Sequence, residues 1–267
     1  MLALDLFCGA GGAALGLKQA GFYVIGVDIK IPSNYLGDQF IQGDIHNLPV
    51  DPQKADFVWA SPPCQAFSSS SARWRDKIEY PNLIPITRKI LEGHPWTCIE
   101  NVSQAPMRAD LTLWGQQFGL HPKDNQDGLW RKRIFELSFF AWNPPKPFMD
   151  RSGSYASIAG NMGCSSTFHR RKAKGLCGSL SIEEGLAIMG YPKHVKMKRK
   201  ELVESVAPCM ARYIGIEALA RMQEAKYTSH RDRYWISRYK EVLKWANTLN
   251  EPPFFKPKKK NRTIKGE

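Results

Sequence analysis

The sequence predicts an α/β protein with a doubly wound, mostly parallel sheet. Short apolar runs with the length of strands alternate with helix-like segments over residues 1–101. This order is typical of a parallel sheet, because each crossover between parallel strands needs a helix or a long connection. Acidic or polar side chains also close these runs, and in such sheets the carboxyl ends of the strands line the ligand crevice. The residues that close the runs are Asp5, Asp28, Asp44, Ser61 and Glu100.

The first 101 residues hold five predicted strands. A glycine turn and the helix-like AALGLKQA follow the first strand, a polar loop over 61–78 follows the fourth, and a helix over 83–93 precedes the fifth. The predicted strands are 2–7, 22–28, 40–44, 55–60 and 96–101.

The second half of the chain changes character after RKRIFELSFF (131–140). Residues 141–178 are rich in Pro, Gly, Ser and basic side chains without a clear period, which predicts a loop-dominated lobe. Helical spacing returns in three later segments, 181–192, 208–225 and 233–249, and a basic tail over 251–267 is predicted to be disordered. We therefore expect a catalytic domain over 1–140, a short lobe over 141–178, completing helices over 179–250, and the tail.

The charge distribution favours a polyanionic partner. The net charge is +13, yet residues 1–60 hold three basic against six acidic residues, so the positive excess lies later in the chain. Clustered Lys and Arg are typical of nucleic-acid contact, although a solvated surface explains any single run, above all Lys256–Lys265. No apolar run is long enough to span a membrane, and Asp5 interrupts the N-terminal one, which predicts a first strand, not a signal peptide.

The cysteines fit a reducing compartment. Six cysteines occur without a C-x-x-C pair. Together with the missing signal they predict a cytoplasmic protein. Cys164, His169 and Cys177 match no zinc-binding spacing, so we expect no metal site.

A glycine loop follows the first strand. Gly9 and Gly11 lie between that strand and a helix, and Asp28 closes the next strand. Glycines let the backbone approach a ligand, and an acid in this place can bind ribose hydroxyls. The spacing favours an adenosine-type cofactor over a plain tight turn. It does not distinguish a nicotinamide cofactor from S-adenosylmethionine.

A cysteine and an acid close the fourth and fifth strands. Cys64 follows Pro62-Pro63, and Glu100 ends the fifth strand. Neighbouring strands lie about 4.8 Å apart, so both side chains can face one crevice. A thiolate is a strong nucleophile when nearby positive charge lowers its pKa, and a buried carboxyl can stay protonated and donate to a ring nitrogen. Type and position alone equally allow a half-buried cysteine and a surface acid.

Six motifs in order resemble the DNA cytosine-5 methyltransferase family, with its Rossmann-like fold. They are D-L-F-C-G-A-G-G (5–12), G-D-I (43–45), P-P-C-Q-x-F-S (62–68), E-N-V (100–102), R-K-R (131–133) and S-I-E-E-G-L-A-I-M-G-Y-P (181–192). The resemblance covers nearly all of 1–140 and 179–219.

The resemblance implies S-adenosylmethionine as cofactor. Phe7 and Ile29 would pack on the adenine, Asp28 would bind the ribose, and Asp44 with Ile45 would meet the adenine edge. The implied cofactor-binding residues are Phe7, Gly9, Gly11, Asp28, Ile29, Asp44, Ile45 and Pro63.

The resemblance also implies the chemistry. Cys64 would add to C6 of a flipped cytosine, Glu100 would hydrogen-bond N3, and C5 would then take the methyl group. Arg131 and Arg133 would bind the base carbonyl and the adjoining phosphate and help keep Cys64 ionised.

Double-stranded DNA is the implied partner of a monomeric enzyme. Asn101 would brace the Cys64 loop, and Ser68 with Ser70 would meet the phosphate backbone. Arg170 and Arg171 belong to a basic run in the predicted recognition lobe. That lobe, between Phe139 and Gly178, has only 40 residues, which predicts a short or degenerate target sequence.

The chain departs from the family pattern at three places. Ser61 replaces a usual Gly, Leu129 replaces a usual Gln, and Val203-Glu204-Ser205-Val206 replaces G-N-A-V. Glu204 would lie near the methyl-bearing end of the cofactor. Two alternatives stay open: a tRNA cytosine methyltransferase, as in one branch of this family, and a catalytically inactive nucleic-acid-binding relative.

Overall fold

The computed structural model describes residues 1–68, 71–72, 77–120, 129, 131–147, 158 and 180–226. The chain divides into two compact units, residues 1–228 and 229–267. The second unit lies outside the described residues, and with it the helix predicted over 233–249 and the basic tail. The domain boundaries inside the first unit stay a prediction.

Within the described part of the chain, seven strands form one sheet in the order β3-β2-β1-β4-β5-β7-β6. The strands are β1 (Leu2–Leu6), β2 (Tyr23–Asp28), β3 (Gln39–Gln42), β4 (Phe57–Ala60), β5 (Thr97–Asn101), β6 (Leu111–Leu113) and β7 (Arg133–Leu137). The first five are parallel, and β7 runs antiparallel between β5 and β6. The predicted class, a mostly parallel doubly wound sheet, is confirmed.

The predicted strands agree with the first five to within a few residues at their ends. The sequence analysis does not predict β6 and β7. β6 has three residues, too few to show a period, and β7 begins at Arg133, inside the basic run 131–133, which shortens its apolar pattern.

The sheet reverses direction beside β1. From β1 the chain builds outward through β2 to β3, and then returns to the other side of β1 with β4 and β5. This reversal creates a crevice above the carboxyl ends of β1 and β4. The sheet topology thereby brings together the ends of strands that are far apart in the sequence.

Helices pack on both faces of the sheet. They are α1 (Gly12–Ala20), α2 (Ile84–Ile90), α3 (Ile182–Ile188), α4 (Arg199–Glu204) and α5 (Pro208–Lys226). Ser181 starts α3 with a capping box, since its hydroxyl accepts from the Glu184 backbone N–H at 3.1 Å. The sequence analysis predicts α1, α2, α3 and α5 but not α4.

The larger core lies on the face covered by α1 and α5. Phe57 and Trp59 of β4 are fully buried there. The two helices approach closely at Gly16, where a Cβ atom would meet the Pro208 carbonyl oxygen at 2.1 Å. The opposite face packs Leu4, Leu6, Val58 and Ile99 in a smaller cluster. Among the described residues, no helix has the length and apolarity to cross a membrane.

Candidate active site

A cavity of about 660 Å³ opens above the carboxyl ends of β1, β2 and β4. This volume lies within the range of about 300–1,000 Å³ typical of small-molecule sites. The glycine loop, the loop after β2, the Cys64 loop and the segment around α4 form its walls. One cavity therefore joins the predicted cofactor residues to the predicted nucleophile.

The loop after β1 bends sharply into the cavity. Phe7 has a φ of 58°, and Gly9 and Gly11 have φ of 50° and 85°. Positive φ is costly for a residue with a side chain, so Phe7 is held in a strained conformation, of the kind that concentrates at ligand sites. The Gly11 carbonyl accepts from the Leu15 N–H at 2.9 Å, so the bend leads directly into α1.

Asp28 ties this loop to the end of β2. One carboxylate oxygen accepts from the Gly9 N–H at 3.0 Å and the other from the Lys30 N–H at 2.9 Å. Asp44 makes a similar local contact, since it accepts from the His46 N–H at 2.9 Å. Both acids are thus held in fixed positions by backbone groups while their residues line the cavity.

The structure brings together all the predicted cofactor-binding residues except Gly11. The residues that line the cavity are Phe7, Gly9, Asp28, Ile29, Asp44, Ile45 and Pro63. Gly11 faces Tyr35 instead, because a Cβ atom on Gly11 would meet the Tyr35 ring at 2.9 Å. Its small size makes room for that ring.

Asp5 is an acid of the cavity wall to which the sequence analysis assigns no role. Its side chain is 0% exposed, and neither carboxylate oxygen makes a hydrogen bond of normal geometry to a described residue. Burial raises the pKa of this carboxyl well above its ordinary value, and the negative charge of Asp28 adds to the rise. A backbone hydrogen bond from Ala14 opposes this rise in pKa, and a cationic ligand group in the cavity would favour the charged form of the carboxyl. In the sequence, the only signal of this buried carboxyl is the acidic residue near the end of the first strand.

The Cys64 loop is held to the sheet on both sides. Asn101 of β5 is buried, and its side-chain amide donates to the Pro62 carbonyl at 2.9 Å. On the β1 side, the Ser61 N–H donates to the Leu6 carbonyl at 3.1 Å. Within the loop, the Ser68 N–H donates to the Cys64 carbonyl at 2.8 Å. These contacts hold the two prolines, and with them Cys64, at the edge of the cavity.

The structure accommodates Ser61, which replaces the usual Gly, through a hydrogen bond to its side chain. Its hydroxyl oxygen accepts from the Trp59 indole N–H at 2.8 Å. A hydrogen bond from Ser61 also lowers the pKa of Glu100, although other effects outweigh it. The side chain that glycine would lack therefore connects a core tryptophan to the buried acid.

Glu100 and Arg133 form a buried ion pair. The Arg133 Nε atom lies 2.8 Å from Glu100 Oε1, and the Glu100 residue is 5% exposed. The pKa of Glu100 is raised, because burial outweighs the opposing charges of Arg133 and Arg131. Oε1 makes no aligned hydrogen bond with a described residue, so this oxygen keeps hydrogen-bonding capacity beside Cys64. A buried acid with a raised pKa is suited to donating a proton to a ligand.

The Cys64 thiol also has a raised pKa. Burial is the largest cause, the charges of Arg133 and Arg131 lower the pKa, and those of Glu100 and Glu204 raise it. The expected lowering by the arginines is therefore present but smaller than the cost of burying a thiolate. The interactions show that Cys64, Glu100 and Arg133 share one electrostatic environment, and all three line the cavity.

Arg131 lies beside this group but does not line the cavity. Its guanidinium is buried and donates to the backbone carbonyls of Ile158, Val203 and Ser205, the first at 2.8 Å and the second at 2.7 Å. These protein partners bind both terminal nitrogens of the guanidinium, which was predicted to reach a base or a phosphate, and only Nε makes no hydrogen bond with a described residue.

The helix α4 links two walls of the cavity. Glu204 accepts from the Gln65 side-chain amide at 3.0 Å, next to Cys64. Glu201, on the same helix, accepts from the Ser33 N–H at 2.9 Å in the loop after β2. The sequence analysis misses both contacts, because they join positions that are far apart in the chain.

The residues predicted to bind nucleic acid are only partly described. Ser68 lies in the Cys64 loop, and its carbonyl, like that of Gln65, accepts from the Ser71 hydroxyl. Ser71 thus stabilises the loop internally. Ser70, Arg170 and Arg171 lie outside the described residues, as do Cys164, His169 and Cys177.

Comparison with known proteins identifies the class of enzyme. Residues 1–107 match the family model of the C-5 cytosine-specific DNA methylase. The chain is 31% identical over 118 residues to two type II methyltransferases of Herpetosiphon aurantiacus, M.HgiDI and M.HgiGI. The match spans 39% of this chain, and it spans 38% of M.HgiDI but 93% of M.HgiGI.

The fold has a solved counterpart. The Dnmt2 methyltransferase of S. pombe superimposes with a TM-score of 0.54 at 14% identity, over 83% of this chain and 99% of that one. At this identity the likeness shows the Rossmann-like methyltransferase fold alone. Fold and sequence matches together define a methyltransferase. The chain belongs to the C-5 cytosine-specific DNA methylase family.

The cavity fits the cofactor that this family implies, S-adenosylmethionine. The cofactor carries two positive centres, an amino group and a sulfonium, and Asp5 brings a buried carboxyl to the wall of the cavity. Asp28 offers fixed carboxylate oxygens to ribose hydroxyls. Phe7, Ile29 and Ile45 offer apolar surface to a flat adenine ring.

Proposed function

We propose that the protein is a DNA cytosine-C5 methyltransferase that acts on a cytosine flipped out of double-stranded DNA. The observation that carries this proposal is the convergence of Cys64, Glu100 and Arg133 on one wall of the cavity that the glycine loop opens. The family membership supports the same reaction. A flipped base is required, because the reacting carbon atoms are not accessible inside a duplex.

The first step is addition of the Cys64 thiolate to C6 of the cytosine. A new S–C6 bond forms, and the C5–C6 π electrons move toward C5 and the ring nitrogen N3. Glu100 in its protonated form donates to N3 and so neutralises the charge that develops there. The raised pKa of Glu100 supports this assignment.

Arg133 orients the base. Its Nε atom pairs with Glu100, and one of its terminal nitrogens donates to the Lys132 carbonyl at 2.9 Å. The other terminal nitrogen has no partner among the described residues, and it is the group we assign to the cytosine carbonyl. This contact would fix the ring with C6 toward Cys64.

The cofactor supplies an electrophilic methyl group, which the nucleophilic C5 takes when S-adenosylmethionine is bound. The C5 proton then leaves to a base, and the electron pair of that C–H bond forms the C5–C6 double bond as the Cys64 thiolate is expelled. The N3 proton returns to Glu100, which restores the acid for the next cycle. Pro63 and the Asn101-braced loop hold the thiol in place through the cycle.

Methyl transfer from labelled S-adenosylmethionine to duplex DNA tests the function. We expect transfer by the wild type and none by Cys64→Ala. Cys209→Ala, which removes a thiol on α5 away from the cavity, serves as the matched control and should keep its activity. Equal labelling by Cys64→Ala and the wild type would contradict the mechanism.

Two further experiments separate the alternatives. DNA containing 5-fluorocytosine should trap a covalent complex, because the fluorine at C5 cannot leave as a proton. A protein that binds DNA without forming this complex would be an inactive relative. Labelling of tRNA in preference to DNA would assign the enzyme to the RNA branch of the family.

A further inference from the structure

Arg131 precedes β7 by two positions and is only 7% exposed. Its guanidinium donates to three backbone carbonyls, those of Ile158, Val203 and Ser205. A buried cation needs full compensation by hydrogen bonds, and these three acceptors supply much of it. Both terminal nitrogens are therefore committed to contacts within the protein, while the buried Nε makes no hydrogen bond with a described residue.

The three carbonyls belong to two segments that are distant in sequence. Val203 and Ser205 flank Glu204, and Glu204, Ser205 and Val206 line the cofactor cavity. Ile158 is buried and lies within 141–178, the predicted recognition lobe. One guanidinium thus joins the cavity wall to that lobe.

Arg131 also acts on the catalytic group through its charge. It lowers the pKa of both Cys64 and Glu100, in each case less than Arg133 does. Burial, together with the charge of Arg133, lowers the pKa of Arg131 to about 9, so the guanidinium stays protonated near neutral pH. Arg131 therefore keeps its positive charge near neutral pH without contacting a ligand.

We propose that Arg131 is a positioning residue that holds the cofactor wall, through Val203 and Ser205, and Ile158 of the predicted lobe against the start of β7. It does not bind the target phosphate. This proposal rests on the proposed function in taking S-adenosylmethionine and DNA as the ligands. The consequence is that Arg131 controls cofactor affinity, while Arg133, two residues away, contacts the base.

Two binding measurements on the full chain test this assignment. Arg131→Lys keeps the charge but cannot reach three carbonyls at once, so we expect weaker binding of S-adenosylmethionine in calorimetry by about tenfold or more. In Arg131→Gln, which removes the charge, the slope of log affinity for duplex DNA against log salt should equal that of the wild type. A phosphate ligand would instead lose about 0.9 from that slope per contact.

Arg88→Lys is the matched control. Arg88 makes a two-point contact with Glu136, at 3.0 and 2.7 Å, away from the cavity, so its replacement should leave cofactor affinity unchanged. Unchanged cofactor affinity in Arg131→Lys, or a shallower salt slope in Arg131→Gln, would overturn the proposal.

A measurement on the wild type covers the case in which Arg131→Lys does not fold. Side-chain ¹⁵N NMR should show guanidinium protons of Arg131 that exchange slowly and keep their shifts when duplex DNA is added. Shifts that follow DNA saturation would overturn the proposal. A wild type that binds both ligands without transferring methyl would refute the proposed function. The two binding tests of Arg131 would still be decisive in that case, because they do not depend on methyl transfer.

Discussion

Glu100 and Arg133 meet diagonally across two antiparallel strands, with 2.8 Å between Oε1 and Nε. Glu100 lies directly opposite Phe135, so Arg133, two residues along β7, shares its face of the sheet. Diagonal neighbours of this kind are within reach of long side chains. The antiparallel insertion of β7 beside β5 therefore creates the pair, and a parallel strand in that place would direct the arginine elsewhere.

We expect Arg133→Ala to lower both activity and stability. The change leaves Glu100 buried without its nearest cation, which typically costs about 3–5 kcal/mol, and it removes the donor we assign to the base. Methyl transfer should fall by about 100-fold or more. Arg88→Ala, which breaks the more exposed ion pair with Glu136 outside the cavity, should lower stability less and leave specific activity unchanged. Equal loss of specific activity in both variants would contradict the role of Arg133.

The double variant Arg133→Ala with Glu100→Gln tests the pair itself. Two residues that act through one contact give non-additive effects. We expect Glu100→Gln to restore part of the stability lost in Arg133→Ala, because an amide needs no cation. Urea denaturation of the four proteins measures this coupling, and strict additivity would show that the pair does not interact.

Glu204→Gln should shift the pH dependence of the reaction. The charge of Glu204 raises the pKa of Cys64, so its removal lowers that pKa. The ascending limb of kcat/KM, which follows formation of the thiolate, should then move to lower pH. The amide oxygen can still accept from Gln65, so the loop contact survives. An unchanged ascending limb would refute the effect, and Glu183→Gln, on the exposed side of α3, provides the control.

Asp5→Asn should stabilise the protein and weaken cofactor binding. The pKa of Asp5 is higher in the folded protein than in the unfolded chain. Its contribution to the free energy of unfolding is therefore complete below the pKa of the unfolded chain, and it is lost as pH rises through the pKa of the folded protein. The variant should therefore gain more stability at pH 8 than at pH 5 in urea denaturation. Each 1 kcal/mol corresponds to a rise in Tm of about 2–4 °C. Calorimetry should show weaker binding of S-adenosylmethionine, and tighter binding would contradict the proposed role of the carboxyl.

Ser61→Ala should move the descending limb of the pH profile to higher pH. The Ser61 hydroxyl lowers the pKa of Glu100, so its loss raises that pKa and extends the range in which Glu100 is protonated. The Trp59 indole N–H also loses its acceptor, which typically costs about 1–3 kcal/mol. Ser103→Ala, which removes a serine hydroxyl away from the cavity, should change neither the limb nor the stability. An unchanged descending limb would contradict the effect of Ser61 on the pKa of Glu100.

The order of the motifs already predicted much of the site. The sheet was predicted from short apolar runs with the length of strands. The side where ligands are expected to bind was predicted from the glycine turn after the first strand and from the polar residues at the strand ends. The predicted sheet is confirmed, and the predicted residues meet because the carboxyl ends of parallel strands lie at one edge whatever the details of packing. Cys64, Glu100 and most of the cofactor residues line one cavity for this reason.

Tertiary structure alone decided how those groups are paired and charged. The pKa of Cys64 is raised because burial exceeds the effect of two arginines, a balance that a motif does not express. Arg131 and Arg133 are two positions apart in one motif, yet one donates to three backbone carbonyls and the other pairs with Glu100. A local pattern specifies which residues a strand brings to the edge of the sheet. Desolvation and hydrogen-bond partners depend on what packs around that edge, and here those neighbours, such as Val203 and Ser205, come from segments 70 or more residues away.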